Sequence, residues 1–375
     1  WMEHPERAIV RVTEVDFDPA GTKPGVTCNL FAGWPTEPRE GCCDKLLALL
    51  WHMCGQEAQQ RALYEWVLKW LAYPLQHPGA KMKTTIVVHG PQGTGKNMFF
   101  DEYMRIYGEY GRVLDQAALE DKFNDWASRK LFLLADEVVA RTEVYHLKNK
   151  LKALITGDRI RINPKNLQAY EEDNHANLVF LSNEAMPVVL EEDDRRHAVI
   201  WTPEKLDQEF YREVLAEIAA GGTAALHHYL LHLDLGNFSN GTLPPMTAAK
   251  AELIQLSQDS PQRFLDQLYG MDIPSVGPVP APSKEWYELY KVWCHREGLK
   301  AAPAPKFINA LVRKRDVIHP DRARKRYLIE QTQYGPHAFL MLGNCNVPGD
   351  QSEAAWLGER VLEFRRMFND FRGQS

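Results

Sequence analysis

The sequence predicts an α/β protein built on a mostly parallel sheet. Two observations carry that expectation. Five short, nearly continuous apolar runs, at 84–90 (TTIVVHG), 111–115 (GRVLD), 131–137 (LFLLADE), 178–183 (LVFLSN) and 197–201 (HAVIW), alternate with helical patterning. Strands buried on both faces lose the polar alternation of half-exposed ones, so these runs fit a parallel sheet covered by helices. The first run also leads into Gly90-Pro91-Gln92-Gly93-Thr94-Gly95-Lys96 and a helical stretch. A G-x4-G-K pattern between strand and helix is the context of a phosphate-binding loop.

The elements follow in order. Residues 1–80 read as a Pro/Gly-rich lead (DFDPAGTKPGV, GWPTEPREG) and a helical domain suited to oligomerisation. Leu46, Leu47, Leu50, Trp51, Tyr64, Val67, Leu68 and Leu71 recur there at spacings of three and four between Cys43 and Tyr73. Pro74 and Pro78 are expected to end that helical run. Residues 81–203 form the sheet-bearing core, and residues 204–245 a helical segment and linker (LGNFSNGTLPP). Residues 246–345 combine helices, with Trp286, Leu289, Tyr290 and Trp293 as core, and strand-like RYLIEQ and HAFLML. Residues 346–375 hold an amphipathic helix over about 352–372.

Composition narrows the function. Of 375 residues 45% are hydrophobic, ordinary for a globular chain, and the net charge is −6. A general basic coat for nucleic acid is excluded, so any such contact must be local. No uncharged apolar run reaches the roughly 18 residues of a spanning helix, so no membrane partner is expected. The chain opens Trp1-Met2-Glu3, as a fragment of a longer one would. Cys28, Cys42, Cys43, Cys54, Cys294 and Cys345 contain no CxxC. Cys42, Cys43, His52 and Cys54 lack the paired spacings of a zinc site and read as reduced thiols. His227, His228 and His232, without HExxH, read as packing or surface residues.

In the loop 90–96 the glycines turn backbone N–H groups toward phosphate, Lys96 adds charge and the helix N-terminus its dipole. Asn97 follows where Ser or Thr is usual. Its amide oxygen is a hard ligand that could meet Mg2+ directly or through water, or leave the metal to Asp136. Asp136 and Glu137 close the run LFLLADE. Asp136 would hold Mg2+, and Glu137 would polarise the attacking water. Asn183, ending LVFLSN, would orient that water beside the γ-phosphate of ATP. Arg195 and Arg196 precede the last strand. One of them would stabilise phosphoryl charge across a subunit interface, unless both simply pair with Asp193 and Asp194.

Together these four elements, between Gly90 and Arg196, resemble the superfamily 3 helicases, a viral and phage branch of the AAA+ ATPases. The segment 151–184 looks like that family's extra motif, with Thr156-Gly157-Asp158 leading into RIRINPKNLQAY. Alternating Ile160 and Ile162 with Arg159 and Arg161, then NPKN, is hairpin chemistry in its own right. The resemblance implies an AAA+-type core and a ring, expected as a hexamer, that moves on single-stranded DNA, typically 3′ to 5′. It implies that Lys165 at the hairpin tip grips DNA in the central pore, supported by Arg159, Arg161 and Asn166. Otherwise the hairpin is a solvated surface feature. NLFAGWPTEPREG and WLAYPLQHPGAKMKTTIVVHGPQGTGKN resemble the lead-in of phage and prophage primase-helicases. That implies a primase or polymerase module earlier in the same chain and the cytoplasm of a bacterial host.

From Lys291 to Glu330 there are 11 Lys/Arg against 4 Asp/Glu. A helix ending in Arg313-Lys314-Arg315, then a basic turn with Arg324 and Lys325 and two strands, fits a winged-helix-like domain on duplex DNA or a merely solvated basic face. The leading expectation is an ATP-dependent, ring-forming DNA helicase using ATP and Mg2+. The alternatives are an ATP-regulated origin-binding initiator and an AAA+ remodeller of proteins.

Overall fold

The computed structural model describes residue 4 and residues 9–55, 60–137, 145–315 and 317–373, excepting the side chains of 145–149, 314 and 315. The chain divides between Ser257 and Gln258 into two compact units.

The first unit opens with a short parallel pair, β1 (Val15–Asp16) and β2 (Cys28–Asn29). Two helices follow, α1 (Asp44–Met53) and α2 (Gln60–Gln76). Then come β3 (Thr85–His89), α3 (Lys96–Tyr107), β4 (Gly111–Leu114), α4 (Gln116–Glu120), β5 (Phe132–Asp136) and α5 (Tyr145–Thr156). An antiparallel hairpin, β6 (Arg159–Ile162) and β7 (Tyr170–Asp173), leads to β8 (Asn177–Ser182) and β9 (His197–Trp201). Three helices finish the unit: α6 (Gln208–Glu217), α7 (Thr223–His232) and α8 (Ala248–Ser257).

All five apolar runs are strands of one parallel sheet, ordered β4-β5-β8-β3-β9. Their residues divide by the period of two. Ile86, Val88, Phe132, Leu134, Val179 and Leu181 face one core with α1, α2, α3 and α7. Val87, Leu133, Ala135, Leu178, Phe180 and Val199 face the other, with Leu154, Ile155 and Leu253. Both faces are apolar because both are covered, except at the edge strand β4, where Arg112 and Val113 are exposed against the sequence expectation.

Three boundaries differ from the sequence reading. The helices of residues 44–76 are not a domain apart: Leu46, Leu49, Val67 and Leu71 fill the same core as the sheet. The helix Ala248–Ser257 belongs with the first unit, where Leu253 is buried in the sheet's second core and the Thr247 hydroxyl donates to Val199 O at 2.8 Å. Pro74 lies inside α2, which runs two residues past it. A proline so near a helix end removes only one late bond, and the Gln76 side chain donates to Leu230 O and Leu233 O.

One buried charge stands out in this unit. Lys81 is buried and its ammonium donates to Ala176 O. Burial lowers its pKa from 10.5 to about 7, Lys83 adds to the shift and Asp158 opposes it. A lysine whose folded pKa is depressed costs stability in full below about pH 7. That cost fades as pH rises toward the unfolded value of 10.5, where neither state is charged. At neutral pH it is on the order of 5 kcal/mol before the hydrogen bond is counted. Lys81→Met is therefore expected to raise the melting temperature at pH 6–7 and to flatten the climb in stability between pH 7 and 10. Thermal melts across that range check it; a lower melting temperature at pH 7 contradicts it.

The second unit runs α9 (Ser260–Gly270), β10 (Ala281–Pro282), α10 (Ser283–Arg296), α11 (Ala304–Arg315), β11 (Arg324–Ile329), β12 (Thr332–Leu340) and α12 (Glu353–Gly373). Its antiparallel sheet is ordered β10-β12-β11. Trp286, Leu289, Tyr290 and Trp293 are core, as their spacing predicts, with Phe264, Phe307 and Phe364 around them. The terminal helix is an integral part of this unit: Phe364 and Phe371 enter that core, and Trp356, Leu357 and Val361 pack with Tyr327 and Phe339.

Candidate functional site

The loop 90–96 joins β3, an inner strand between β8 and β9, to α3. Gly90, Gly93 and Gly95 take positive φ of 138°, 79° and 88°. At Gly95 a side chain is barred by space as well: a Cβ there would lie 2.7 Å from Leu49 Cδ1 and 3.2 Å from Tyr211 Cε1. Lys96 is 4% exposed. Its ammonium donates to Gly90 O at 3.0 Å and Pro91 O at 2.7 Å. Burial lowers its pKa from the ordinary value, and Asp136 opposes the shift.

A cleft of about 400 Å3 opens over this loop, lined by Gln92–Met98, Glu137, Asn183 and Tyr211. Glu137 and Asn183 come from the carboxyl ends of β5 and β8, where ligands of open α/β sheets sit. Sequence positions 92–98, 137 and 183 are thus brought to one place by parallel register: Val87, Phe180 and Ala135 lie side by side across the three strands. Glu137 has φ +54°, an uncommon conformation for a residue with a side chain. Asn97 Nδ2 donates to Asp136 Oδ2 at 2.7 Å. The amide of the atypical loop residue therefore orients the carboxylate.

Arg195 and Arg196 are elsewhere. They precede β9, whose register pairs His197 with Thr85 and Trp201 with His89. Six residues of parallel strand, roughly 20 Å, separate them from the loop of the same chain. They line a second cleft, of about 430 Å3, with Lys83, Thr84, Thr156, Gly241 and Leu243. Neither guanidinium has an ion pair among the described residues. Asp194 is committed elsewhere: it accepts from His197 Nδ1 at 2.8 Å, from the Arg196 and His197 amides, and from buried Lys250 at 3.1 Å. Burial would raise the Asp194 pKa, but the His197 bonds and the Lys250 charge outweigh it and hold the carboxyl well below its ordinary range.

The hairpin springs from this same amino-terminal edge of the sheet. Lys83 pairs with Asp158 at its base. Asn124 fixes its neck, donating to Arg161 O at 2.8 Å and accepting from the Asn163 amide at 2.7 Å. Lys165 and Asn166 are exposed at the tip, Asn166 with φ +62°, and Leu167 beside them is 72% exposed. Arg161 is exposed too. Arg159 is not available in the same way, because Glu171 and Asp173 pair with it across the hairpin, each at 3.5 Å.

With that geometry in place, the chain can be set beside known proteins. Residues 88–196 match a family of unknown function, DUF5906. The matched segment holds both clefts' motif residues and the hairpin. A DNA primase-polymerase of Nitratiruptor phage NrS-1 is 33% identical over 206 residues, half of this chain. The chain spans only 27% of that relative's length. In structure, the chain is similar to the apo C-terminal region of NrS-1, at a TM-score of 0.65 and 20% identity over 88% of this chain and 84% of that one. Another apo structure of that region, described as its A form, gives 0.64 at 20% identity, with 88% and 85% covered. At this identity the likeness concerns the fold.

Sequence reading missed one residue of the first cleft and one carboxylate close to Asp136. Tyr211, on α6 and beyond the matched segment, enters it with no motif to announce it. Asp101 stands one turn after Asn97 on α3. Burial raises its pKa, and the charge of Asp136 adds to the shift. Spacing of four along a helix that opens at the glycine loop was the available signal.

In the second unit, Arg313 and Arg324 are exposed, while the side chains of Lys314 and Arg315 lie outside the described residues. Lys325 is taken up by Glu353 of α12 at 2.6 Å. The basic surface is therefore weaker than the sequence count. Among the described residues no helix is long and apolar enough to cross a membrane.

Proposed function

We propose that this chain is a P-loop ATPase of the superfamily 3, AAA+ type that acts on DNA in phage or mobile-element replication, as a ring with ATP between subunits. The observation that carries the reading is the first cleft, where the glycine loop, Lys96, Asp136, Glu137 and Asn183 converge at the carboxyl ends of one parallel sheet. The strand order β4-β5-β8-β3-β9 supports it, with the loop after the inner strand β3 and the two carboxylates at the end of β5, one strand removed from it. The relationship to a phage DNA primase-polymerase supports the replication setting.

In this reading Lys96 and the loop amides bind the β- and γ-phosphates, the Lys96 ammonium exchanging its loop carbonyls for phosphate oxygens. Asp136, oriented by Asn97, offers an all-oxygen donor set that fits Mg2+, which when bound neutralises phosphate charge. Glu137 accepts a proton from the attacking water and Asn183 orients it. Arg195 and Arg196, too far from their own loop and free of ion pairs among the described residues, serve a neighbouring subunit's nucleotide. Lys165, Arg161 and Asn166 grip single-stranded DNA, while Arg159 stiffens the hairpin. Order helix–strand–helix–helix–strand–strand in the second unit supports a winged-helix role on duplex DNA through Arg313 and Arg324.

ATPase and strand-separation assays with and without single-stranded DNA test the reading. DNA is expected to stimulate hydrolysis, and Lys165→Ala to remove that stimulation. It should also reduce the salt slope of binding by about 0.7 for each phosphate left without its cation. Stimulation that survives Lys165→Ala rejects the hairpin assignment. Duplex binding without unwinding returns the chain to an origin-binding initiator, and indifference to all DNA to a protein remodeller.

A further inference from the structure

We propose that Tyr211 is the platform on which the nucleotide's base stacks, and that the site consequently takes purine nucleoside triphosphates with little discrimination between adenine and guanine. The inference rests on the phosphate-loop reading and adds the half of the ligand that reading leaves unplaced.

The first cleft's lining mixes two kinds of side chain. Lys96, Glu137 and Asn183 suit a triphosphate. The apolar and aromatic side chains of the lining are Met98 and Tyr211, a thioether and a ring beside Gly95. The ring is fixed. Its hydroxyl accepts from the Leu206 amide at 3.1 Å, and its edge lies 3.2 Å from where a Gly95 Cβ would stand. The only other aromatic ring it meets among the described residues is Phe210, T-shaped at 5.8 Å and 80°, so no side-chain ring is stacked parallel upon it. A half-buried, anchored ring beside the loop that binds phosphate is placed to receive a planar base. Polarizable sulfur at Met98 suits the same surface.

That wall carries little means of reading the base's edge. Met98 offers no donor, and the Tyr211 hydroxyl is held in place as acceptor of the Leu206 amide, leaving a single O–H to read a base edge. Stacking is tolerant because every base presents a π-face. Discrimination between bases by large factors requires buried hydrogen-bonding groups built for one edge, and Met98 and Tyr211 do not supply such a set.

Calorimetric titration of the full chain with ATP, GTP and inorganic tripolyphosphate separates base from phosphate. The proteins are wild type, Tyr211→Phe and Tyr211→Leu, each checked for its circular dichroism. Wild type is expected to bind ATP and GTP within about threefold of each other. Tyr211→Leu should weaken both by about tenfold or more, and Tyr211→Phe should retain most of the affinity. Tripolyphosphate should bind all three proteins alike. Unchanged ATP affinity in Tyr211→Leu overturns the platform, as does an equal loss for tripolyphosphate, which would make the residue a prop for the loop. A GTP affinity more than tenfold below that for ATP overturns the tolerance. Wild type that binds neither ATP nor tripolyphosphate brings down the phosphate-loop reading, and this inference with it.

Discussion

Glu137→Gln is expected to lower ATP turnover by about 10²–10⁴ while leaving nucleotide binding within a few-fold. The amide keeps the size and the position of the side chain but cannot take a proton. Glu137 is exposed to the cleft, and its positive φ is an uncommon conformation held at the end of β5 rather than in a core. Lys96→Ala should remove binding as well as turnover, because the buried ammonium is the cleft's fixed positive charge beneath the loop. Asn97→Ser is expected to stay within a few-fold of wild type, since a shorter hydroxyl can still serve Asp136 or the metal. Phosphate release and calorimetric nucleotide binding, measured on the three variants together, distinguish these roles. Wild-type turnover in Glu137→Gln would move the general base to another group.

Gly358→Ala should destabilise the second unit by about 3–5 kcal/mol. A Cβ on Gly358 would stand 1.7 Å from Leu328 O, and 2.8 Å from Leu328 C. Both are backbone of β11, so no rotamer change relieves the overlap. Either α12 lifts from the strand or β11 gives way. The first course uncovers Trp356, Leu357 and Val361, and loosens the paired bonds of Arg365 to Glu285 at 2.8 and 3.1 Å. Because the first unit has cores of its own, its transition and its nucleotide binding should persist. Scanning calorimetry of wild type and variant checks this. An unshifted transition for the second unit would mean that helix and strand have room the close approach denies.

The parts of the site that were legible in sequence are those set by a single strand and the turn after it. Gly90 to Lys96 can be read because glycine spacing dictates the backbone that follows β3. Asp136, Glu137 and Asn183 can be read because an apolar run ending in polar residues marks a buried strand's exit. Those features depend on neighbours within about ten positions. Asn97 was legible as an exception but not as a function: its donor meets Asp136, 39 residues away, and nothing local announces such a pair. Arg195 and Arg196 were visible as a basic pair suited to phosphoryl charge, but pairing with Asp193 and Asp194 stayed open as the lesser alternative. Only the packed structure commits Asp194 to His197 and Lys250.

Sequence alone determined the five strands, the burial of the inner ones, the glycine loop after β3 and the carboxylates that end β5, because hydrophobic period and turn chemistry are short-range; the edge strand β4, with Val113 45% exposed, is not covered as its apolar run predicts. Tertiary structure decided what those elements meet. It placed Arg195, Arg196 and the hairpin at the sheet's far edge, joined the early helices and Ala248–Ser257 to the same unit, and cancelled Arg159 with Glu171 and Asp173 and Lys325 with Glu353. It also brought Tyr211 over Gly95. Each of these is a contact between segments that are distant in sequence or an ion pair set by register. A chain's local pattern fixes which groups it carries, while the free energy of packing selects the partners they find.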